Sequence, residues 1–172
     1  MNEALNNLMT RRSIRAYQPK QVEKELLEQV LQAGTYAPTG GGRQTPVIIA
    51  VQDEKTVQQL SRMNAAVMGT KSDPFYGAPT VLVVLAERSR GTYLLDGASV
   101  ITTLLNAAHA VGLGSCWIHR AKEEFESEEG KALLKQWGIE GDFEGVGHVI
   151  LGYPAGDAPE PAPRKANYIV RV

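Results

Sequence analysis

Three arginines and one serine lie close together near the start of the chain, in the segment Arg11-Arg12-Ser13-Ile14-Arg15. The planar guanidinium of arginine is well shaped to bind phosphate, and it can also stabilise a negative charge on a ring. The segment therefore predicts a site for a phosphorylated ligand. Because surface arginines are common, the residue types alone also allow a solvated basic turn without a ligand.

Three consecutive glycines follow the first long helical pattern, within the segment APTGGGRQ at 37–44. Glycine allows backbone amides to approach a ligand closely, and it equally allows a simple turn. The segment is not a nucleotide-binding P-loop, because the pattern G-x-x-x-x-G-K-[ST] is absent and a strand follows instead of a helix. Ligand contact and turn formation both remain open for these glycines.

The segment GLGSCWIHR at 112–120 contains the only cysteine of the chain. Its glycines do not match G-x-G-x-x-G followed by a helix, which argues against a Rossmann-type site. Cys116 and His119 face opposite sides of a strand, so we interpret Cys116 as a small buried residue and not as half of a thiol–imidazole pair. The histidines lack metal-ligand spacing, and no nucleophile elbow or acidic pair is visible. We therefore predict no metal site and no catalytic side chain, and an enzyme with neither must let a cofactor carry the chemistry.

The elements that position these segments alternate between helical and strand patterns. Apolar residues at helical spacing predict helices over 21–37, 55–68, 93–111 and 127–137. Short apolar and β-branched runs predict strands over 46–51, 80–85, 115–118 and 144–151, and the tail 166–172 could form another. This order predicts an α+β fold, with helices on both faces of a central sheet. The helix over 93–111 is mostly apolar, which predicts burial in a large interface.

Size and charge limit the classes of function. A chain of 172 residues fits one domain, and a net charge of -1 gives no reason to expect nucleic acid or a membrane as a partner. The N-terminus lacks the apolar stretch of a secretory signal. With one cysteine, an intrachain disulfide is impossible, and we predict a cytoplasmic protein.

Four segments together are more specific than any one alone: RRSIR at 11–15, APTG-x-x-RQ at 37–44, GLGSCWI at 112–118 and GHVILGYPAG at 147–156. In this order, and over nearly the whole chain, they resemble the nitroreductase family of flavoproteins. The resemblance implies one FMN-binding domain over 1–172, a central, mostly antiparallel sheet flanked by helices, and an intertwined homodimer with FMN at the subunit interface. It also implies that NADH or NADPH reduces the flavin, and that a nitroaromatic or related small acceptor then takes the electrons at the same site, in a ping-pong mechanism.

The resemblance implies two groups of charged residues around the flavin. Arg11, Arg12 and Ser13 would bind the FMN phosphate and ribityl chain. Arg15 would lie near the pyrimidine end of the ring, where a cation supports the negative charge of the reduced flavin at N1 and O2. The pair Arg164-Lys165 would complete the phosphate site, in a tail that reaches the partner subunit from about residue 164.

Other residues would surround the ring itself. The partner chain would supply the residues that close over the flavin: Pro38, Thr39, Gly40 and, nearby, Gln44. Asn64 would hydrogen-bond the pyrimidine edge, although an amide satisfied within the core is the alternative. Ile118 would pack on one ring face, with the amides of His119 and Arg120 near N5.

Two features separate this chain from many relatives. Gly42 stands where many have Asn, and Gln44-Thr45-Pro46 stands where many have Gln-Pro-Trp, so a side-chain contact to the cofactor is lost or moved to the backbone. Phe75 and Tyr76 would line the acceptor pocket or belong to the core. Alternative functions are a flavin, quinone or enone reductase of the same family, and a non-enzymatic module that binds FMN or another phosphorylated ligand.

Overall fold

Six α-helices and four β-strands make up the protein, and the computed structural model describes all of its residues, 1–172. The helices are α1 (Glu3–Thr10), α2 (Lys24–Gly34), α3 (Glu54–Met68), α4 (Tyr93–Ala110), α5 (Ala121–Glu126) and α6 (Glu128–Gln136). The strands are β1 (Pro46–Val51), β2 (Thr80–Glu87), β3 (Gly114–Ile118) and β4 (Phe143–Gly152). A short 3-10 turn, Gly40–Gly42, lies between α2 and β1.

The strands form one antiparallel sheet in the order β1-β2-β4-β3. Strand β2 is rich in β-branched residues, which suit a pleated and buried surface. Its Val81 and Val83 face a core shared with α3, α5 and α6, whereas Leu82 and Val84 face a core shared with α2 and α4. Helices therefore cover both faces of the sheet, which confirms the predicted α+β sandwich.

All four predicted strands are present, and three of the four predicted helices match within one residue at each end. Helix α2 is shorter than the predicted range 21–37. It begins after residue 21 because the Gln21 side chain hydrogen-bonds to two neighbouring segments of backbone. The Gln21 side chain donates to the carbonyl oxygens of Gln52 and Pro79, at 3.2 and 3.0 Å, and so fixes the loop before the helix. Helix α5 was not predicted, since six residues are too few to show a helical period.

The apolar helix α4 is only partly covered by this chain. Val100, Ile101 and Leu104 are buried against the sheet, but Leu94 and Leu95 near its start are 42% and 71% exposed. The tail after β4 forms no strand, and residues 155–172 are all exposed. No helix combines the length and the apolar character that crossing a membrane requires.

Candidate functional site

The arginine segment runs as an extended chain along the edge strand β3. Ser13 forms a parallel bridge with Ser115, and the Ile14 amide donates to the Ser115 carbonyl at 2.9 Å. The Tyr17 hydroxyl donates to the Ile14 carbonyl at 2.7 Å, and burial raises the pKa of Tyr17 far above its ordinary value. Because this hydroxyl stays protonated, it remains a donor and holds the segment in a fixed register on the sheet edge.

Arg11 directly follows α1, and α1 is tied to the C-terminal half of α4. Asn7 Nδ2 donates to the Asn106 carbonyl at 2.9 Å, and Thr10 Oγ1 shares a hydrogen bond of 2.9 Å with His109 Nε2. Arg11 Nη1 is buried and has no hydrogen-bond partner in the chain. A buried charged donor without a partner is costly, so this nitrogen indicates a place for an acceptor that the chain itself does not provide.

The surroundings of Arg11 are positively charged. The pKa of His109 is lowered by burial and by the charges of Arg11 and Arg12. Arg12 Nη1 is turned toward the backbone, where it donates to the carbonyls of Met9 and Arg11 at 2.9 and 2.6 Å. Arg12 therefore uses one nitrogen on the backbone and contributes charge to the region, whose buried donor without a partner is on Arg11. Two guanidiniums and a neutral histidine fit a phosphate dianion.

Arg15 lies at the other end of the segment, beside an aromatic ring. Its guanidinium carbon is 6.0 Å from the ring centroid of Tyr76, which is 44% exposed. Asp73 accepts from the amides of Phe75 and Gly77, at 2.8 and 2.6 Å, and so fixes the turn that carries this ring. Phe75 is only 1% exposed and belongs to the core, so Tyr76 alone of the pair can face a ligand at this place.

The turn from β3 into α5 is held from inside the protein. Ile118 is buried at the end of β3, and Arg120 adopts a left-handed backbone conformation with φ 76°. Asn64 Nδ2 donates to the His119 carbonyl at 2.7 Å, and Arg120 Nε donates to Asn64 Oδ1 at 2.9 Å. Asn64 has no exposed surface, and its other amide hydrogen is used on Glu124. It is a satisfied core amide here and has no free donor for a ligand.

The glycine-rich segment is anchored at the start of α4. The Gly40 amide donates to Asp96 Oδ1 at 2.8 Å, and the Gln44 amide donates to Thr39 Oγ1 at 3.0 Å. Gly41 and Gly42 have φ values of 63° and 66°, in the left-handed region that glycine adopts without strain. Glycine and asparagine both suit this conformation, so either residue can stand at position 42 without backbone strain.

One chain does not bring the glycine-rich segment to the arginine segment. Asp96, which holds Gly40, lies near the start of α4, and His109, which neighbours Arg11, lies at its end. His109 is thirteen positions after Asp96, which corresponds to about 20 Å along the axis of the α-helix. Within one chain, Pro38, Thr39, Gly40 and Gln44 are thus anchored at the opposite end of α4 from the arginine segment.

Arg164 and Lys165 also lie away from the arginine segment. Both are in the exposed tail; the Arg164 guanidinium donates to the Ala162 carbonyl, and Lys165 Nζ lies 5.4 Å from the ring centroid of Tyr168. Within the chain they make only these local contacts. Their predicted role at the phosphate stays a prediction.

The family model described as the nitroreductase family matches residues 8–71 and 65–153. The chain belongs to the nitroreductase family. An Archaeoglobus fulgidus protein named "Putative NADH dehydrogenase/NAD(P)H nitroreductase" is 32% identical over 159 residues, 90% of this chain and 87% of that protein. The crystal structure of a Bacteroides fragilis nitroreductase with bound FMN superposes with a TM-score of 0.91, at 30% identity and with all of both chains covered. The Bacillus subtilis protein named FMN reductase [NAD(P)H] is 35% identical over 97 residues, 56% of this chain and 36% of that protein.

Sequence reasoning missed several residues of this nitroreductase-family site. Asp96 anchors the glycine-rich segment, and Ser115 presents a buried hydroxyl without a partner next to Ser13. Glu124 and His148 stand behind Asn64. A carboxylate within the apolar helix 93–111 and a histidine within the apolar strand 144–151 are the signals that could have found Asp96 and His148.

Proposed function

We propose that this oxidoreductase of the nitroreductase family binds FMN and transfers hydride from NADH or NADPH to nitroaromatic or related small organic acceptors. The buried Arg11 Nη1, which lacks any partner in the chain, is the observation that carries the proposal. Bound FMN would supply the redox chemistry. The chain would supply binding, orientation and charge.

The residues present fit FMN at both ends of the arginine segment. The phosphate would take the free donor of Arg11 and the charge of Arg12, with the hydroxyl of Ser13 beside them. Arg15 would stabilise negative charge near the pyrimidine end, and Tyr76 would hold its guanidinium in place. Ile118 and the backbone of His119 and Arg120 would border the ring, with Asn64 supporting this backbone from behind.

We further propose that the functional unit is a homodimer. A second copy would bring the glycine-rich segment and the tail pair Arg164-Lys165 to the arginine segment. Apolar side chains on α1 and in the tail support this, since several are more than half exposed: Leu5, Leu8, Met9, Tyr168, Ile169 and Val170. Such surfaces are typical of a protein–protein interface. A cytoplasmic location and a single functional domain over 1–172 stay predictions.

The reductant and the acceptor would use one open cleft in turn, since the sequence contains no separate nicotinamide-binding motif. The purified protein should show a flavin spectrum, NADH or NADPH should bleach it under anaerobic conditions, and a nitroarene should restore it. Initial-rate plots against both substrates should then give parallel lines. A colourless protein that does not take up added FMN would contradict the binding proposal, and intersecting lines would contradict the shared cleft.

Free flavin is a second candidate acceptor. The match to the Bacillus subtilis protein named FMN reductase [NAD(P)H] favours it, over the 97 residues that align. Quinones and enones complete the panel of acceptors. Comparison of kcat/KM for a nitroarene, a quinone, an enone and added FMN would rank them, and a value for added FMN above the others would replace the nitroaromatic proposal.

A further inference from the structure

A buried carboxylate and a buried histidine lie together behind the turn that leads from β3 into α5. Glu124 and His148 are 1% and 0% exposed, and His148 Nε2 is hydrogen-bonded to Glu124 Oε1 at 2.9 Å. The same carboxylate oxygen accepts a hydrogen bond from Asn64 Nδ2. Three elements, α5, β4 and α3, thus meet at one carboxylate oxygen.

Burying this polar cluster in the core costs free energy. Removing a carboxylate from water costs several kcal/mol in general, and apolar residues of similar volume are often as stable or more stable. The cost is not fully offset here, because Glu124 Oε2 and His148 Nδ1 are buried without partners. The rings of Phe75 and Phe125 pack around His148, with centroids 5.3 and 6.2 Å from the imidazole, so the surroundings are apolar. Stability alone therefore does not account for the cluster.

The cluster acts on the protein surface through Asn64. The amide of Asn64 has one hydrogen on Glu124 and one on the His119 carbonyl, and its oxygen accepts from Arg120 Nε. Glu124 thereby fixes which way the Asn64 amide points, because exchanging its oxygen and nitrogen would break all three hydrogen bonds. The orientation of this amide in turn fixes the His119 carbonyl and the Arg120 side chain.

The backbone at Arg120 needs such support. Its φ of 76° is left-handed, a conformation that non-glycine residues rarely adopt and that persists only where the surroundings determine it. Ser127 Oγ adds a second tie, since it donates to the Glu124 carbonyl at 2.6 Å and fixes the C-terminal end of α5. The turn is thus tied to the core through Asn64, while the His119 side chain on its other side is exposed.

We propose that Glu124, clamped by His148 and acting through Asn64, is a positioning residue that sets the His119–Arg120 backbone for hydride transfer. The inference rests on the proposed function, in which this backbone borders the reacting edge of the flavin. It assigns Asn64 to orientation of the turn and not to FMN affinity. Loss of the clamp should slow the reduction of bound flavin more than it weakens FMN binding.

Three variants test the proposal: Glu124→Leu, Glu124→Gln and the control Met63→Leu. The leucine removes both hydrogen bonds to the cluster, whereas glutamine keeps an oxygen that can accept from Asn64 and His148. Met63 is buried on the same helix as Asn64 but outside the cluster, and its exchange for leucine conserves volume. FMN dissociation constants, visible spectra of the bound flavin and single-turnover reduction rates at saturating NADH or NADPH would be measured for each.

We expect Glu124→Leu to reduce bound flavin about 10- to 100-fold more slowly, since displacing a reacting geometry by about 1 Å has effects of this size. Its FMN dissociation constant should change by less than about threefold, and its flavin bands should shift relative to the parent protein. Glu124→Gln and Met63→Leu should match the parent in all three measurements. Parent-like reduction by a folded Glu124→Leu protein, an equal loss of FMN affinity and rate, or a Glu124→Gln variant as slow as the leucine would overturn the proposal.

A second variant, Arg120→Met, tests the same proposal if Glu124→Leu does not fold. Arg120 is partly exposed, and methionine keeps an unbranched chain while removing the donor to Asn64. We expect slower reduction at unchanged FMN affinity, and an unchanged rate would overturn the proposal. A parent protein that binds no FMN would instead contradict the proposed function itself, so the two failures are distinguishable.

Discussion

Asp96 accepts a hydrogen bond of 2.8 Å from the backbone amide of Gly40, although 56 residues separate the two in sequence. Asp96 is 5% exposed, and its other oxygen accepts from Thr92 and Thr45 at 3.2 and 3.5 Å. A buried carboxylate with these donors fixes the glycine-rich segment on the start of α4. The conformation of the segment is therefore fixed by contacts within one chain.

Substitution of two glycines in this segment should change the stability of the protein to different extents. A Cβ at Gly40 would lie 2.5 Å from Thr92 Oγ1, whereas a Cβ at Gly42 would meet nothing within 4 Å. Gly40→Ala should displace the segment from Asp96 and destabilise the protein by about 1–3 kcal/mol. Gly42→Asn should change stability by less than about 1 kcal/mol, because asparagine tolerates a positive φ. Urea unfolding of both variants checks this, and equal losses would contradict the described anchoring.

The charge of Arg15 should matter more than the shape of its side chain. In the proposed site it supports negative charge near the pyrimidine end, so Arg15→Ala should lower the midpoint potential of bound FMN and slow its reduction even in excess FMN. Arg15→Lys should recover much of the loss. Tyr76→Phe keeps the ring beside Arg15 and serves as the matched control. Potentiometric titration is the measurement, and an unchanged potential in Arg15→Ala would remove Arg15 from the mechanism.

The sequence predicted the four strands, four of the six helices and the arginine segment, because each depends on local patterns. It did not reveal the roles of Asp96, Glu124 and His148, whose partners lie far away in sequence. Asn64 shows the reason most clearly. Its place on the buried side of a helix was predictable, but its partners at His119, Glu124 and Arg120 depend on how α3 packs against α5.

The proposed role of the tail rests on the resemblance alone. Its Pro-rich start and weak alternation allowed a strand over 166–172, but within one chain these residues join no sheet and are exposed. Exposed backbone groups bond to water, and a lone strand is not stable by itself, so one chain gives this segment no sheet to join.

Replacing the apolar residues of the tail should weaken the proposed dimer. Tyr168, Ile169 and Val170 are 71%, 66% and 78% exposed in one chain, and burial of such side chains in a partner contributes about 1.5–3 kcal/mol each. We expect serine at all three positions to raise the dimer dissociation constant by at least about 100-fold. Arg171→Ser, a neighbouring change without loss of apolar surface, is the control. Analytical ultracentrifugation measures both, and a stable, FMN-loaded monomer of the unaltered chain would contradict the dimer.

An ion cluster around Glu144, at the start of β4, should make the stability of the protein depend on pH. Burial acts to raise the pKa of Glu144, but hydrogen bonds from Arg88 and Tyr93, with the charges of Lys122 and Arg88, outweigh it and lower the pKa below its ordinary value of 4.5. A carboxylate whose pKa is depressed on folding stabilises the protein above that value and loses the contribution as the pH falls below it. Glu144→Gln should therefore cost about 1–3 kcal/mol at pH 7 and less at acidic pH.

Urea unfolding at neutral pH and at a series of pH values below 4.5 compares the two proteins while the Glu144 carboxyl of the parent becomes protonated. Glu160→Gln, a change at an exposed carboxylate of the tail, serves as the control. One contrary result is that Glu144→Gln and the parent differ in unfolding free energy by the same amount in acid as at neutral pH. Such a result would mean that Glu144 contributes through packing and not through its charge.

In the proposed site, Arg11 Nη1 binds the phosphate of FMN. Binding of FMN and of riboflavin, which differ only in the phosphate, measures this contact directly when the apoprotein and Arg11→Ala are titrated by fluorescence. The apoprotein should prefer FMN, and Arg11→Ala should lose about 1.5–3 kcal/mol of that preference, roughly 10- to 150-fold, with little change for riboflavin. Arg62→Ala should keep the full preference. Equal affinity of the unaltered protein for FMN and riboflavin, or a preference that survives in Arg11→Ala, would contradict the account.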